Sequence, residues 1–332
     1  MKRLEIIEFL KGYSIFTIII YHFSQELNLP SPFDNLILFG GAGVHLFILL
    51  SGLGMYLSHL NKPLTYFNFL KKRVVKVYVP YIIAILIIAI ISIFIPIYKN
   101  SLYTLGGHIF LYKMFDESIM SSYGYQLWFV SMILQFYIAF YAIAFLAERL
   151  STKYFIIICS VISLVWIVIV VSLGKEAERI WQSFFLQYLW EFALGMVIAS
   201  KLFKNDYKIN FDIKPIHILL IGVLNCILYG TLAIKGGYVG KMINDLPSLI
   251  GYSSIAIWVY KLNIDKINRF FIFTGSISFS LYLLHIIILF LAKIYLDRIP
   301  MLAVITVALI TTYMISIYYQ KMIGKVYKIV NI

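Results

Sequence analysis

The sequence predicts an all-α membrane protein, a polytopic bundle of about 10 transmembrane helices, and two observations support this class. First, 62% of the 332 residues are hydrophobic, only 13% are charged, and the mean hydropathy is +0.90. A soluble domain is usually about half apolar and about a quarter charged. Second, the apolar residues form runs of about twenty, the length that crosses a bilayer as a helix. A soluble globular enzyme, a disordered chain and a disulfide-stapled secreted module are therefore excluded.

Ten runs are long and apolar enough to span a membrane. They cover residues 7–24, 36–57, 77–98, 126–146, 154–173, 184–202, 215–234, 246–262, 270–292 and 299–320. The patch from Tyr103 to Phe115 is too short to cross, so we expect an interfacial or re-entrant piece. The amino-terminal stretch has no small-residue cleavage site, and we expect it to be retained. A single transmembrane domain over residues 1–332 is predicted.

The distribution of the basic residues predicts the orientation. The 28 basic residues give the chain a net charge of +13. Twenty lie at the amino terminus, counted through Lys11, in or at the edges of the even-numbered loops, or after the last run, and eight lie in the odd-numbered loops. Because positively charged loops stay on the cytoplasmic side, both termini are expected to be cytoplasmic. The surplus charge is typical of this bias, and no nucleic-acid partner is expected.

The longest loop on the opposite side, residues 99–125, is rich in aromatic residues. Tyr123 and Tyr125 lie at its end, and Trp128 follows. Such rings are typical of the aromatic belt at a membrane interface. They also suit a platform on which a sugar ring packs its apolar face, and both interpretations stay open here.

Titratable residues inside spans are costly and usually face a cavity. Of the 15 carboxylates only Glu191 lies in the middle of an apolar run, and three histidines, His22, His45 and His285, lie within runs. His22 follows Lys11 by eleven residues, which is roughly 16 Å along a helix. Lys11 is therefore expected near the cytoplasmic boundary and His22 toward the outer half of the membrane.

His22 and Glu191 are the candidates for chemistry. A neutral imidazole can take a proton from a hydroxyl near neutral pH. Glu191 is expected either to hold His22 in one tautomer, as acids do in hydrolytic triads, or to pair with a Lys or Tyr and lock helices together. Alternatively, His22 is a buried imidazole satisfied by a Ser or Tyr. His45 and His285 are expected either to line the cavity or to pack.

A basic segment precedes the third run. Lys72, Arg73 and Lys76 lie there, and the last two are three residues apart and share a helical face. Arg and Lys are the usual partners of phosphate, so this segment suits a phosphate-bearing ligand. Ordinary anchoring against lipid headgroups is the alternative.

Five segments resemble, in order, the motifs of the acyltransferase 3 family of membrane acyltransferases. KGYSIFTIIIYHF resembles the family's Arg/Lys-x10-His motif, and GVHLFILLSG its GVxLFFxLSGF segment. FLKKRVVKVYVPY is similar to its basic FxxRRxxRIxP segment, LWFVSMILQFY to its LWFL segment and SFSLYLLH to its SYSLYLLH segment. The matches run from Lys11 to His285, over most of the chain.

The resemblance implies a membrane enzyme that takes an acyl group, commonly acetyl, from cytoplasmic acyl-CoA and passes it to a hydroxyl of a cell-surface polysaccharide or lipid-linked sugar. It implies that His22 is catalytic, with Lys11 as its paired basic residue. The CoA contacts it implies are Arg73 and Lys76, next to Lys72. We expect Tyr123, Tyr125, Trp128 and His285 to bind the acceptor, Glu191 to assist His22, and no metal to take part. The expected setting is a bacterial plasma membrane.

Two positions depart from the family's pattern. His45 stands where the family frequently has an acidic residue, and Ile133 and Leu134 replace the Glu-Glu of its LWFLSVEEQFY version. The chain therefore resembles the short stand-alone members more than those with a fused extracellular hydrolase-like domain.

Two other functions stay open. A transporter or flippase for a sugar or lipid-linked glycan would have a similar composition, but its usual sign, an internal repeat with paired broken spans, is not evident. A structural or sensor subunit would have no need of intramembrane His22 and Glu191.

Overall fold

The computed structural model describes residues 4–27, 29–30, 38–207 and 213–329, and in these residues it contains 15 α-helices and no strand. The helices are α1 Glu5–Ser24, α2 Gly43–Asn61, α3 Tyr66–Phe94, α4 Leu102–Ile109, α5 Glu117–Met120, α6 Trp128–Arg149, α7 Thr152–Ser172, α8 Arg179–Gln182, α9 Leu189–Lys204, α10 Pro215–Lys235, α11 Gly237–Ile243, α12 Asp245–Lys261, α13 Asp265–Ser276, α14 Ser278–Tyr295 and α15 Met301–Ile329. Three short 3₁₀ segments precede α2, α5 and α6.

The predicted all-α membrane fold is confirmed. Eight helices, α1, α2, α3, α6, α7, α10, α14 and α15, are long and apolar enough to cross a membrane. Two further predicted runs, 184–202 and 246–262, correspond to α9 and α12, which have only 16 and 17 residues. The count of ten spans and the orientation of the termini stay predictions. The first two residues of the run 36–57 and both ends of the domain 1–332 lie outside the described residues.

Two predicted elements have boundaries that hydropathy did not indicate. The run 270–292 is divided between α13 and α14, which meet at Ile277. The patch Tyr103–Phe115 contains most of α4 and a 3₁₀ segment, Tyr112–Phe115, and no helix long enough to cross a membrane.

Glycines allow a close crossing of α2 and α9. A Cβ on Gly52 of α2 would lie 2.1 Å from the carbonyl oxygen of Phe192, and one on Gly195 of α9 would lie 2.0 Å from that of Leu49. Small residues let helix backbones approach closely inside membranes. This close crossing of α2 and α9 brings the middle of both helices together.

Helix α3 contains Pro80, which has no N–H to give to the carbonyl of Lys76 one turn earlier. The hydroxyl of Tyr327, on α15, donates to that carbonyl oxygen at 2.7 Å. The hydroxyl of Tyr319, on the same helix, donates to the carbonyl oxygen of Pro80. Helix α15 thus supports α3 beside its basic segment.

Candidate active site

One of two large cavities among the described residues, called here the basic cavity, has a volume of about 530 Å³. Lys11, Lys72, Arg73, Lys76 and His22 all contribute to its lining. Because α1 is one unbroken helix, Lys11 and His22 lie about 16 Å apart along its axis. The cavity therefore extends from four cations to an imidazole inside the bundle.

The cations of the basic cavity differ in their partners. Lys11 forms a salt bridge of 3.2 Å with Glu8. The guanidinium of Arg73 lies 5.8 Å from the ring centroid of Phe69. Neither Lys72 nor Arg73 forms a salt bridge with any described residue. These two side chains offer positive charge to a ligand.

The second cavity, called here the polar cavity, has a volume of about 560 Å³. Its titratable lining residues include His22, His45, Arg179 and Asp245. Four lining residues are common to both cavities: Ile18, His22, Val44 and Trp128. His22 therefore lies where the basic and polar cavities meet.

Neutral groups surround the imidazole of His22. The hydroxyl of Tyr125 lies 3.1 Å from Nδ1, and Gln25 also hydrogen-bonds the ring. The ring of His285 is stacked on it, with the centroids 5.3 Å apart. Among the described residues no carboxylate contacts His22. The ring is held in place without a charged partner.

His285 lies behind His22 and is fully buried. Its Nδ1 lies 3.0 Å from the carbonyl oxygen of Leu281 and donates to it, and its Nε2 has no partner among the described residues. The structure thus brings His285 to His22 but not to the lining of either cavity.

Glu191 contacts a different histidine from the one that the sequence suggested. Its Oε1 lies 2.7 Å from Nδ1 of His45, and no hydrogen bond joins it to His22. Asp245 Oδ1 lies 3.8 Å from Nε2 of the same imidazole. Glu191 is fully buried, and its Oε2 has no partner among the described residues. His45 is therefore held between two carboxylates at the edge of the polar cavity.

His45, Glu191 and Asp245 form a compact cluster of donor atoms. His45, Glu191 and Asp245 each offer one donor atom, and these atoms lie within 4.8 Å of one another. The 2.7 Å contact between His45 and Glu191 is an ordinary hydrogen bond, so the cluster is satisfied in part without an ion. The absence of metal from the reaction stays a prediction.

The aromatic residues predicted to bind the acceptor take different positions. Tyr125 and Trp128 line the polar cavity, and the guanidinium of Arg179 lies 5.3 Å from the ring centroid of Trp128. Tyr123 is fully buried, and its hydroxyl donates to Asn100 Oδ1. It lines neither cavity.

A buried lysine supports the turn that carries Tyr125. Lys113 donates to the carbonyl oxygens of Met120 at 3.3 Å and Leu127 at 3.5 Å, and it is fully buried. Burial lowers the pKa of its amine to about 7. Nearby, His108 lies between Tyr81 and Ser122, and burial lowers the pKa of its imidazole to about 2. Lys113 ties the segment between α4 and α5 to the start of α6.

Sequence reasoning missed Arg179, Asp245 and the pairing of His45 with Glu191. Asp245 directly precedes a predicted span, where an acidic residue is easily assigned to a loop. Arg179 begins the four-residue helix α8, in a short stretch between two predicted spans that has no motif. The pairing depends on how closely α2 and α9 cross, and no local pattern specifies that distance.

Comparison with known families gives one finding. The model of the acyltransferase 3 family, described as an acyltransferase domain, matches residues 4–320. Comparison with curated proteins and with solved structures yields no match.

Proposed function

The chain belongs to the acyltransferase 3 family, and we propose that this membrane acyltransferase passes an acyl group, commonly acetyl, from acyl-CoA to a hydroxyl of a cell-surface polysaccharide or lipid-linked sugar. One observation carries the proposal: His22 lies where the basic cavity meets the polar cavity. Donor and acceptor approaching from the two cavities would meet at this imidazole. The setting we propose is a bacterial plasma membrane.

The basic cavity is the proposed donor site. Lys72, Arg73 and Lys76 suit the phosphates of CoA, because guanidinium and ammonium groups form charge-assisted hydrogen bonds with phosphate. The pantetheine arm would follow the cavity to His22. The length of this path is comparable to the distance between Lys11 and His22 along α1. With both termini in the cytoplasm, as predicted, this mouth faces the cytoplasmic pool of acyl-CoA.

The polar cavity is the proposed acceptor site. Trp128 and Tyr125 provide aromatic surface, and Arg179 and Asp245 provide polar groups. Aromatic faces combined with a few well-placed polar groups are typical of small-molecule sites. This combination supports a carbohydrate acceptor.

His22 is the proposed catalytic residue. In the direct route the acceptor hydroxyl loses its proton to an imidazole of the site, and its oxygen attacks the thioester at His22. A covalent acyl-His22 intermediate is the alternative route. Both routes require the imidazole at the meeting point of the cavities.

Transport is the second candidate function, because two cavities that meet inside the bundle also suit a passage for a sugar or lipid-linked glycan. The use of acyl-CoA distinguishes a transporter from an acyltransferase. A transporter moves the glycan unchanged, whereas an acyltransferase adds an acyl group from labelled acetyl-CoA.

The test compares His22→Ala with His217→Ala in membranes incubated with labelled acetyl-CoA. His217 is an exposed histidine at the start of α10 and lines neither cavity. We expect glycan labelling to be lost in His22→Ala and kept in His217→Ala. Near-normal labelling in His22→Ala would remove His22 from the mechanism, and no CoA-dependent labelling with the wild type would favour transport.

A further inference from the structure

The polar cavity contains a second histidine, and its surroundings differ from those of His22. His45 has Glu191 at 2.7 Å from Nδ1 and Asp245 at 3.8 Å from Nε2. His22 has the Tyr125 hydroxyl, Gln25 and the His285 ring as neighbours, and the positively charged Arg179 lines the same cavity. The two imidazoles therefore lie in opposite electrostatic environments.

Glu191 positions the ring of His45. When Glu191 is ionised it only accepts hydrogen bonds, and Nδ1 of His45 then carries the hydrogen and donates it. Nε2 then keeps its lone pair. Asp245 lines the polar cavity, and its distance of 3.8 Å from Nε2 is longer than a hydrogen bond, so the lone pair is left for another donor.

The two carboxylates also stabilise the charge that His45 would gain. An imidazolium next to Glu191 and Asp245 is compensated by negative charge inside a buried site, where such interactions are strong. An imidazolium at His22 would have no carboxylate in contact among the described residues. Of the two histidines, His45 is thus the one whose charged form would have carboxylates beside it.

Tyr125 gives His22 a different role. When its hydroxyl donates to Nδ1 of a neutral His22, the hydrogen of the ring lies on Nε2, which then acts as a hydrogen-bond donor either to Gln25 or to a ligand. A neutral imidazole of this kind can polarise a carbonyl group. Such a donor next to the basic cavity suits the carbonyl oxygen of a thioester.

From this contrast we propose that His45, positioned by Glu191, is the base that takes the proton of the acceptor hydroxyl, while neutral His22 stabilises the thioester oxygen. This inference rests on the proposed acyl transfer. The hydroxyl O–H bond breaks, its proton passes to Nε2 of His45, and its oxygen bonds to the acyl carbon. The C–S bond then breaks, and the CoA thiolate takes up the one proton that His45 releases before the next turnover.

Replacing the acceptor with a nucleophile that needs no base distinguishes the role of His45 from that of His22. Hydroxylamine is largely a neutral amine at neutral pH and attacks thioesters without first losing a proton. We expect His45→Ala to lower glycan acylation by about 10²–10⁴-fold, the usual contribution of a general base. The same variant should keep the transfer from acetyl-CoA to hydroxylamine within a few-fold of wild type, which also shows that the donor site is folded. His22→Ala should lose both reactions.

Glu191→Gln tests whether Glu191 positions His45, and Glu148→Gln is its matched control. Glu148 lies 3.1 Å from Nε2 of His59, outside both cavities. We expect Glu191→Gln to fall between wild type and His45→Ala in glycan acylation while keeping the hydroxylamine reaction. Glu148→Gln should leave both reactions unchanged.

Three results would overturn the inference. The first is equal loss of both reactions in His45→Ala, and the second is normal glycan acylation in that variant. The third is loss of both reactions on chelation with recovery on adding a divalent ion, which would make the cluster a metal site. A wild type that acylates neither nucleophile would instead contradict the proposed function itself.

Discussion

The hydroxyl of Tyr125 determines how the imidazole of His22 is presented to both cavities. Tyr125→Phe removes this hydrogen bond of 3.1 Å and leaves the ring free to turn. We expect the rate of acyl transfer to fall about fivefold, because one hydrogen bond contributes about 1 kcal/mol. The KM for acetyl-CoA should stay the same.

Tyr103→Phe is the control for this prediction. The hydroxyl of Tyr103 donates to Asp116 on the exposed side of α4, and the residue lines neither cavity. Equal rates for Tyr125→Phe and Tyr103→Phe in the labelled acetyl-CoA assay would show that Tyr125 does not position His22.

The lowered pKa of Lys113 predicts that the free energy of unfolding depends on pH. Burial lowers its pKa from 10.5 to about 7, so between these values the unfolded chain binds more protons than the folded one. The free energy of unfolding therefore rises with pH in this window, by at most about 1.4 kcal/mol per pH unit. The pKa of His108 is also lowered, from 6.5 to about 2, so its effect on stability lies below this window.

The measurement is the thermal unfolding midpoint in detergent between about pH 7.5 and about pH 9.5. We expect the wild-type midpoint to rise more steeply with pH than that of Lys113→Met. Parallel curves for the two proteins would mean that Lys113 keeps its ordinary pKa in the folded state.

The crossing of α2 and α9 determines how His45 and Glu191 meet at the edge of the polar cavity. These helices carry His45 and Glu191, and a methyl group on Gly195 would come within 2.0 Å of the backbone of α2. Gly195→Ala should push the helices apart and destabilise the fold by about 1–3 kcal/mol, as overpacking does. It should also lower glycan acylation.

Gly324→Ala is the matched control, because nothing lies within 4 Å of a Cβ at that position of α15. Unfolding midpoints and glycan acylation are measured for both variants. A Gly195→Ala protein as stable and as active as Gly324→Ala would contradict the role given to this crossing.

The sequence predicts helices better than it predicts where they meet. Runs of about twenty apolar residues located the spanning helices, because length and hydropathy are local properties. The pairing of Glu191 with His45 is not local, since it joins residues 146 positions apart in the chain. The same holds for Asp245, which reaches His45 from the first residue of α12.

For the molecule as a whole, motif spacing predicted more of the candidate site than hydropathy did. The eleven-residue spacing of Lys11 and His22 placed both on one helix, and the structure finds both on one cavity with Arg73. Arg179 shows the limit, because the short segment that contains it belongs to no motif and gives no sign that it reaches a cavity. The positions of Tyr123 and His285 away from the cavity lining likewise depend on tertiary packing.

The central claim is that His22 joins a donor cavity on one side of the membrane to an acceptor cavity on the other. It is tested most directly with sealed membrane vesicles of known orientation, to which membrane-impermeant labelled acetyl-CoA is added from outside. We expect glycan labelling in inside-out vesicles, none in right-side-out vesicles, and none in either with His22→Ala. Equal labelling in both orientations, or wild-type labelling with His22→Ala, would contradict the account.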